Sequence, residues 1–207
     1  MSIGKLVALA VAGSLFCLAG CATLEVTESK MFEPATRKQN VVLGLQAVGD
    51  RLQETLNDPG NRLLATASGQ LFDRVVLLPK DSRFSPPQEI RKDTGVDYIL
   101  TVGIGDIGVS GDLNPIWFAS LPLLVFKVQA PIVTFQPNVV LDVTLRDAAK
   151  GTVLLQKQVM ETSSDHFAPA NPSAKVRKLI SLTINNAMVT IFRDAQQSIA
   201  TARKTGQ

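Results

Sequence analysis

Few residues of this chain could do chemistry, and most of them lie together in one short stretch. Thr162, Ser163 and Ser164 supply hydroxyls, Asp165 supplies a carboxylate, and His166 is the chain's single histidine. In hydrolases that use serine, histidine and aspartate, these residues meet through the fold and are not sequence neighbours. The G-x-S-x-G turn that presents such a serine is also missing from the sequence. We therefore expect a polar loop here and no enzyme activity.

A second pattern, GIGDIG at residues 103–108, has the spacing of a dinucleotide-binding loop. Such a loop must open a helix, because the pyrophosphate is bound by the N–H groups at the helix N-terminus. The residues that follow, VSGDLNP, cannot begin a helix. The pattern therefore predicts a strand whose glycines lie at a bulge or a close approach. One histidine and the absence of a calcium-loop motif give no reason to expect a metal or a cofactor.

The first twenty residues have the features of a secretory signal peptide. Lys5 precedes an apolar run over residues 6–16, and small residues follow. The run ends in Leu18, Ala19, Gly20 and Cys21, which closely resembles the bacterial lipobox. That resemblance implies that Cys21 becomes the new N-terminus and receives a diacylglycerol thioether and an N-acyl chain. An ordinary secreted protein is the alternative.

Two further observations fit a lipoprotein. Residue 22 is Ala and not Asp, which under the enterobacterial sorting rule resembles an outer-membrane lipoprotein facing the periplasm. Cys17 and Cys21 are the two cysteines of the chain, so removal of the signal and lipidation leave no thiol for a disulfide. The net charge of +3 includes no run of five basic residues, so we expect no nucleic-acid partner.

The length of 207 residues and the 45% hydrophobic content fit one ordinary domain with its own core. We expect a signal peptide at 1–20 and a lipidated tether at 21–40. A single periplasmic domain at 41–203 would contain an apolar insertion at 106–137, and a tail would follow at 204–207.

Periodic apolar residues predict the elements of this domain. The stripe formed by Val41, Leu45, Val48, Leu52 and Leu56 predicts a helix. Strands are predicted at 74–79 and 97–104, a β-hairpin at 138–146 and 153–160, a short helix at 88–94, and a long helix from Pro172. These give an α/β fold of the α+β sandwich type. A small mixed sheet with a C-terminal hairpin would be covered by the long C-terminal helix and one or two earlier helices.

The element order, GVDYIL at residues 95–100, and the turn at 147–151 resemble the TolB N-terminal-domain-like lipoproteins over about residues 60–200. That group includes the curli-secretion and Pel-export lipoproteins and the lipoprotein activators of penicillin-binding proteins. Two features depart from its pattern. The opening strand of the group is not obvious, and residues 106–137 are longer and more apolar than the pattern needs.

The stretch PIWFASLPLLVFKVQAPIVTF, which we call the apolar arm, covers residues 115–135. Pro122 and Pro131 would each remove a helical hydrogen bond, and Lys127 would lie mid-bilayer, so a transmembrane helix is disfavoured. Core packing, a protein contact and an insertion into the bilayer surface all remain open. The partner or membrane contacts would be made by Trp117, Phe118, Leu123, Leu124 and Phe126.

These features predict a lipoprotein anchored in the outer membrane by lipid on Cys21 and facing the periplasm. It would be a non-enzymatic structural or accessory component of an envelope assembly or export system. Its partner would be another envelope protein or further copies of itself, with no cofactor. The alternative is a lipoprotein that binds a lipid or glycan during envelope transport, which predicts a cavity between the long helix and the sheet.

Overall fold

A computed structural model describes residues 29–32, 38–113, 133–167 and 172–205. The described strands are β1 (Gln39–Val48), β2 (Phe72–Leu77), β3 (Tyr98–Leu113), β4 (Val133–Asp147), β5 (Val153–Thr162) and β6 (Asp165–Phe167). The described α-helices are α1 (Asp50–Asn57), α2 (Leu63–Gln70), α3 (Pro87–Thr94) and α4 (Pro172–Thr205), with a 3₁₀ turn at Lys80–Phe84.

The strands form one mixed sheet in the order β2-β1-β3-β4-β5, and β6 pairs with β4. β1 runs parallel to both β2 and β3, whereas β3, β4 and β5 are antiparallel neighbours. α4 packs on β4 and β5, while α1 contacts β1 and α2 contacts β2. The predicted α+β sandwich, with its C-terminal hairpin and long covering helix, is confirmed.

The predicted helix from Val41 to Leu56 is wrong in its first half, because Gln39–Val48 is a strand inside the sheet. Apolar residues at both odd and even positions of this strand produced a spacing that also fits a helix. Gly49, with φ 109°, then turns the chain into α1, where Leu52 and Leu56 are buried. The stripe thus spans two elements, and β1 is the opening strand that the sequence did not reveal.

One face of the sheet and the helical layer enclose the main core. The apolar residues that recur at helical spacing along α4 pack there, including Ile184, Met188 and Ile191, which are fully buried. The Phe192 ring contacts those of Phe32 and Phe72, with centroid distances of 6.2 Å in both pairs. Burying a large apolar side chain contributes about 1.5–3 kcal/mol, so this interface is the main source of stability.

The opposite face of the sheet is covered near α3 by a smaller cluster that contains Ile90, Val96 and Ile99. Elsewhere this face is polar: Thr101 donates a hydrogen bond to Gln46 (2.9 Å), and Gln158 donates one to the exposed Asp142 (2.8 Å). The two faces therefore differ sharply in chemistry.

The turn between β4 and β5 follows its sequence prediction. The Asp147 carboxylate accepts hydrogen bonds from the N–H groups of Ala149 (2.7 Å) and Lys150 (2.9 Å). Gly151 has φ 73°, which favours glycine. These contacts set the register of the hairpin.

Candidate functional site

The residues predicted to make functional contacts lie outside the described residues. They are Cys21, Trp117, Phe118, Leu123, Leu124 and Phe126. The structure does describe residues 133–135, the end of the apolar arm, which form the start of β4. It also describes β3, which ends at Leu113 just before the arm.

β3 and β4 pair without interruption to the end of β3, where Leu113 lies opposite Val133. β1 stops pairing with β3 at Gly103, so among the described strands only β4 borders β3 beyond that point. We call residues 104–113 and 133–138 the ribbon. Residues 105, 106 and 108–112 are exposed along it. The connection 114–132 therefore begins and ends at one paired position of the ribbon.

The GIGDIG pattern lies at the base of the ribbon. β3 continues through it to Leu113, so no helix follows, and the pairing register shifts between Ile104 and Asp106. A Cβ atom on Gly105 would lie 3.0 Å from the Asp142 carboxylate. The predicted strand with a glycine at a bulge is confirmed, because strand pairing and not the helix that a dinucleotide site needs follows Gly108 directly.

The surface of the ribbon is acidic and weakly apolar. Asp106 and Asp112 are exposed, Val109 is 45% exposed, and the two segments of the ribbon contain no basic residue. The Ser110 hydroxyl donates to the carbonyl of Gln136 across the strands (3.3 Å). The ribbon thus exposes small and acidic residues, and its one aromatic residue, Phe135, is half-buried.

The sequence predicts a loop over the Thr162–His166 stretch. This prediction is wrong for its end, because Asp165–Phe167 forms β6 on β4. Ser163 is only 1% exposed, and its hydroxyl has no hydrogen-bond partner among the described residues. A catalytic serine needs a base within hydrogen-bonding distance, and no described side chain provides one to Ser163. Among the described side chains, no group of three or more His, Cys, Asp or Glu is arranged to hold a metal ion.

Residues Ser29–Phe32, which we call the strap, belong to the predicted tether but pack against the body. The Lys30 N–H donates to the Asn186 side chain (2.8 Å), and the Lys30 ammonium pairs with Glu161 (2.7 Å). Phe32 is 8% exposed and contacts Phe192. The described part of the tether is therefore a docked segment, and no periodic pattern of apolar residues predicts it.

An open depression of about 340 Å³ lies between the strap, α2 and α4. Arg62, Thr66 and Asn185 are among its lining residues. The interface between α4 and the sheet, where a lipid- or glycan-binding protein would need its cavity, is filled by buried side chains such as Leu100, Leu141 and Met188.

None of the described helices is long and apolar enough to cross a membrane. This finding concerns the helices of the described residues, the longest of which is α4.

No family model and no curated protein matches the sequence. Among solved structures, the chain is similar to a putative neuraminyllactose-binding hemagglutinin homolog from Helicobacter pylori. The identity is 12%, the TM-score is 0.51, and the match covers 87% of this chain and 98% of that one. The two proteins share a fold. At this identity the likeness concerns the fold alone.

Lipoproteins are among the further structures to which the chain is similar. The lipoprotein GNA1162 from Neisseria meningitidis has 11% identity and a TM-score of 0.39, with 71% of this chain and 99% of that chain covered. The PelC dodecamer from Paraburkholderia phytofirmans has 11% identity and a TM-score of 0.36, with 77% and 94% covered.

Proposed function

We propose that this chain is a lipid-anchored lipoprotein of the outer membrane that faces the periplasm. It acts as a non-enzymatic accessory component of an envelope assembly. Lipid on Cys21 holds it in the membrane, and the apolar arm contacts an envelope protein or further copies of the chain.

The position of the arm on the ribbon carries this proposal. Leu113 and Val133 are paired, and residues 108–112 of β3, just before Leu113, are exposed, so the connection 114–132 starts away from the main core. Trp117, Phe118 and Phe126 are the residue types that anchor protein interfaces. An apolar segment that follows an exposed strand is well placed to contact a partner.

The filled interface between α4 and the sheet favours this function over the binding of a lipid or glycan inside the body. Large side chains close that interface, and Phe72, Phe192 and Leu141 among them are fully buried. A ligand there would have to displace core residues, each of which contributes about 1.5–3 kcal/mol.

The membrane anchor is tested by intact-mass measurement of the protein extracted from bacterial membranes. The proposal expects a chain that begins at Cys21 and carries the mass of a diacylglycerol and an acyl chain. Cys21→Ser should leave the signal uncleaved at this position and remove the lipid mass. An unmodified mature chain would contradict the anchor.

The arm is tested by size exclusion with light scattering on residues 22–207. A triple variant, Trp117→Ser, Phe118→Ser and Phe126→Ser, is compared with a control, Val109→Ser, Val153→Ser and Met160→Ser, which removes exposed apolar groups elsewhere. A defined parent oligomer that only the arm variant dissociates would support self-assembly. A monomeric parent would exclude stable self-assembly in solution and leave a different envelope protein as the partner.

A further inference from the structure

We propose that the strap holds the body close to the bilayer, with the surface around Met31 and Arg62 facing the lipid headgroups. This inference rests on the proposed lipid anchor at Cys21 and adds the orientation of the domain. The partner of this surface is the membrane in which the chain is itself anchored.

The strap is fixed to the body by several independent contacts. Its backbone is held by the hydrogen bond from the Lys30 N–H to Asn186, a fully buried residue. The Arg193 guanidinium donates to the carbonyl of Met31 (3.4 Å), and Phe32 packs on Phe192. Because these partners lie on α4, the strap cannot move freely relative to the body.

A short stretch of chain separates the docked strap from the lipid. Only residues 22–28 lie between the lipidated Cys21 and Ser29. An extended chain spans at most about 3.6 Å per residue, so this stretch reaches about 30 Å at most. A domain of this size is about 40 Å across. The side of the body that carries the strap therefore cannot be the side farthest from the membrane.

The side chains around the strap suit a headgroup region. The Met31 side chain is 82% exposed, the highest value among the exposed large hydrophobic residues. Arg62 is exposed beside it in the depression under the strap, and it makes no ion pair among the described residues. An apolar side chain next to a free guanidinium fits the boundary between acyl chains and lipid phosphates.

The methionines of the chain provide a direct test. After removal of Met1 with the signal, the remaining methionines are Met31 on the strap, Met160 on the open face of the sheet, and Met188 in the core. In a chain produced from residue 21 without the signal, Cys21 carries no lipid and is the one thiol, so it can be coupled to a maleimide lipid in nanodiscs that contain a gadolinium-chelate lipid. Methyl NMR of ¹³C-methyl-methionine then reports which side is near the headgroups, with Met31→Leu and Met160→Leu assigning the signals.

We expect the gadolinium lipid to broaden the Met31 methyl signal several-fold more than the Met160 signal. Equal broadening of the two, or stronger broadening of Met160, would overturn the proposed orientation. Because the coupling replaces natural lipidation, that result would leave the anchor itself standing. If the natural chain carried no lipid on Cys21, that result would instead contradict the proposed anchor.

A linker variant tests whether the length of the tether sets the orientation of the domain. Insertion of about 20 Gly and Ser residues between positions 28 and 29 gives a flexible spacer and leaves every described contact intact. The difference between Met31 and Met160 should then shrink. If the difference is unchanged, the short connection does not set the orientation, and the argument from length is wrong.

Discussion

The two halves of β3 have opposite roles. From Tyr98 to Val102 the strand is bordered by β1 and β4, and its inward side chains, including Leu100 and Val102, are buried. Beyond Gly103 the same strand has only β4 beside it among the described strands, and most of its residues are exposed. The first half of β3 thus belongs to the core, and the second half extends beyond it.

The change in sequence along β3 explains this difference. The first half alternates apolar side chains that face α4, whereas the second half contains Gly105, Gly108 and Gly111 and two exposed aspartates. Glycine adds no side chain to a core, and exposed charges also discourage edge-to-edge aggregation. Stability is therefore concentrated under α4, and the ribbon is left to carry the arm.

The largest difference in the free energy of unfolding should appear between alanine variants of two phenylalanines. Phe192→Ala removes a fully buried ring that contacts Phe32 and Phe72, so we expect a loss of about 3–5 kcal/mol in the free energy of unfolding. Phe84 is 76% exposed, and Phe84→Ala should cost less than about 0.5 kcal/mol. Chemical denaturation of both variants measures this, and similar losses would contradict the placement of the core.

Two aspartates provide the next comparison. The Asp97 carboxylate accepts a hydrogen bond from the Val42 N–H (2.8 Å), so Asp97→Ala should cost about 1–3 kcal/mol by leaving that N–H unpaired. The exposed Asp142 bonds the side chain of Gln158, and Asp142→Ala should change stability by less than about 0.5 kcal/mol. Equilibrium unfolding in urea compares the two. A loss for Asp142→Ala as large as that for Asp97→Ala would show that the open face contributes more than we infer.

A smaller difference is expected between two glycines of the ribbon. A Cβ atom at Gly105 would approach the Asp142 carboxylate to 3.0 Å, whereas at Gly108 it would meet no atom within 4 Å. Gly105→Ala should cost about 1 kcal/mol, and Gly108→Ala should be neutral or slightly stabilising because alanine lowers the entropy of the unfolded chain. Thermal unfolding resolves the order, and the reverse order would refute the bulge geometry.

The smallest effect on stability should come from the surface ion pair of Asp50 and Lys80, whose charged atoms are 2.6 Å apart. The hydrogen bond from Lys80, and then its charge, lower the pKa of Asp50. A lowered pKa in the folded state stabilises the protein above the unfolded pKa, and this stabilisation is lost as the pH falls through the folded pKa.

Because the Asp50 side chain is 84% exposed, solvent screens most of this contribution. Asp50→Asn should therefore leave stability at neutral pH almost unchanged and slightly flatten its decline below about pH 4. Unfolding curves recorded across that range test this. A marked loss at neutral pH would mean that the pair contributes more than its exposure allows.

The sequence predicts correctly those helices and strands whose apolar residues follow a single periodicity. The hairpin of β4 and β5 alternates at a spacing of two, and α4 keeps a helical stripe from Ile180 to Ile199, so both were predicted. β1 was mistaken for a helix because Val42 and Val48 add apolar residues to the face opposite Leu43 and Leu45, so the alternation typical of a strand is weak. The strap could not be predicted, since its single buried ring, Phe32, forms no pattern.

The position of the arm also depended on tertiary structure. Its composition was visible in the sequence, but core packing, protein contact and membrane contact could not be separated from residues alone. The pairing of Leu113 with Val133, a long-range contact between strands, showed where the arm is attached.

That pairing also permits the most direct test of whether the arm serves contact and not folding. Residues 114–132 can be replaced by Asn-Gly, because a two-residue type I′ turn joins directly paired antiparallel strands. The account predicts that the shortened protein unfolds with the same free energy as the parent and loses its association with itself or with its envelope partner. A shortened protein that fails to fold, or that loses several kcal/mol of stability, would show that the arm belongs to the core.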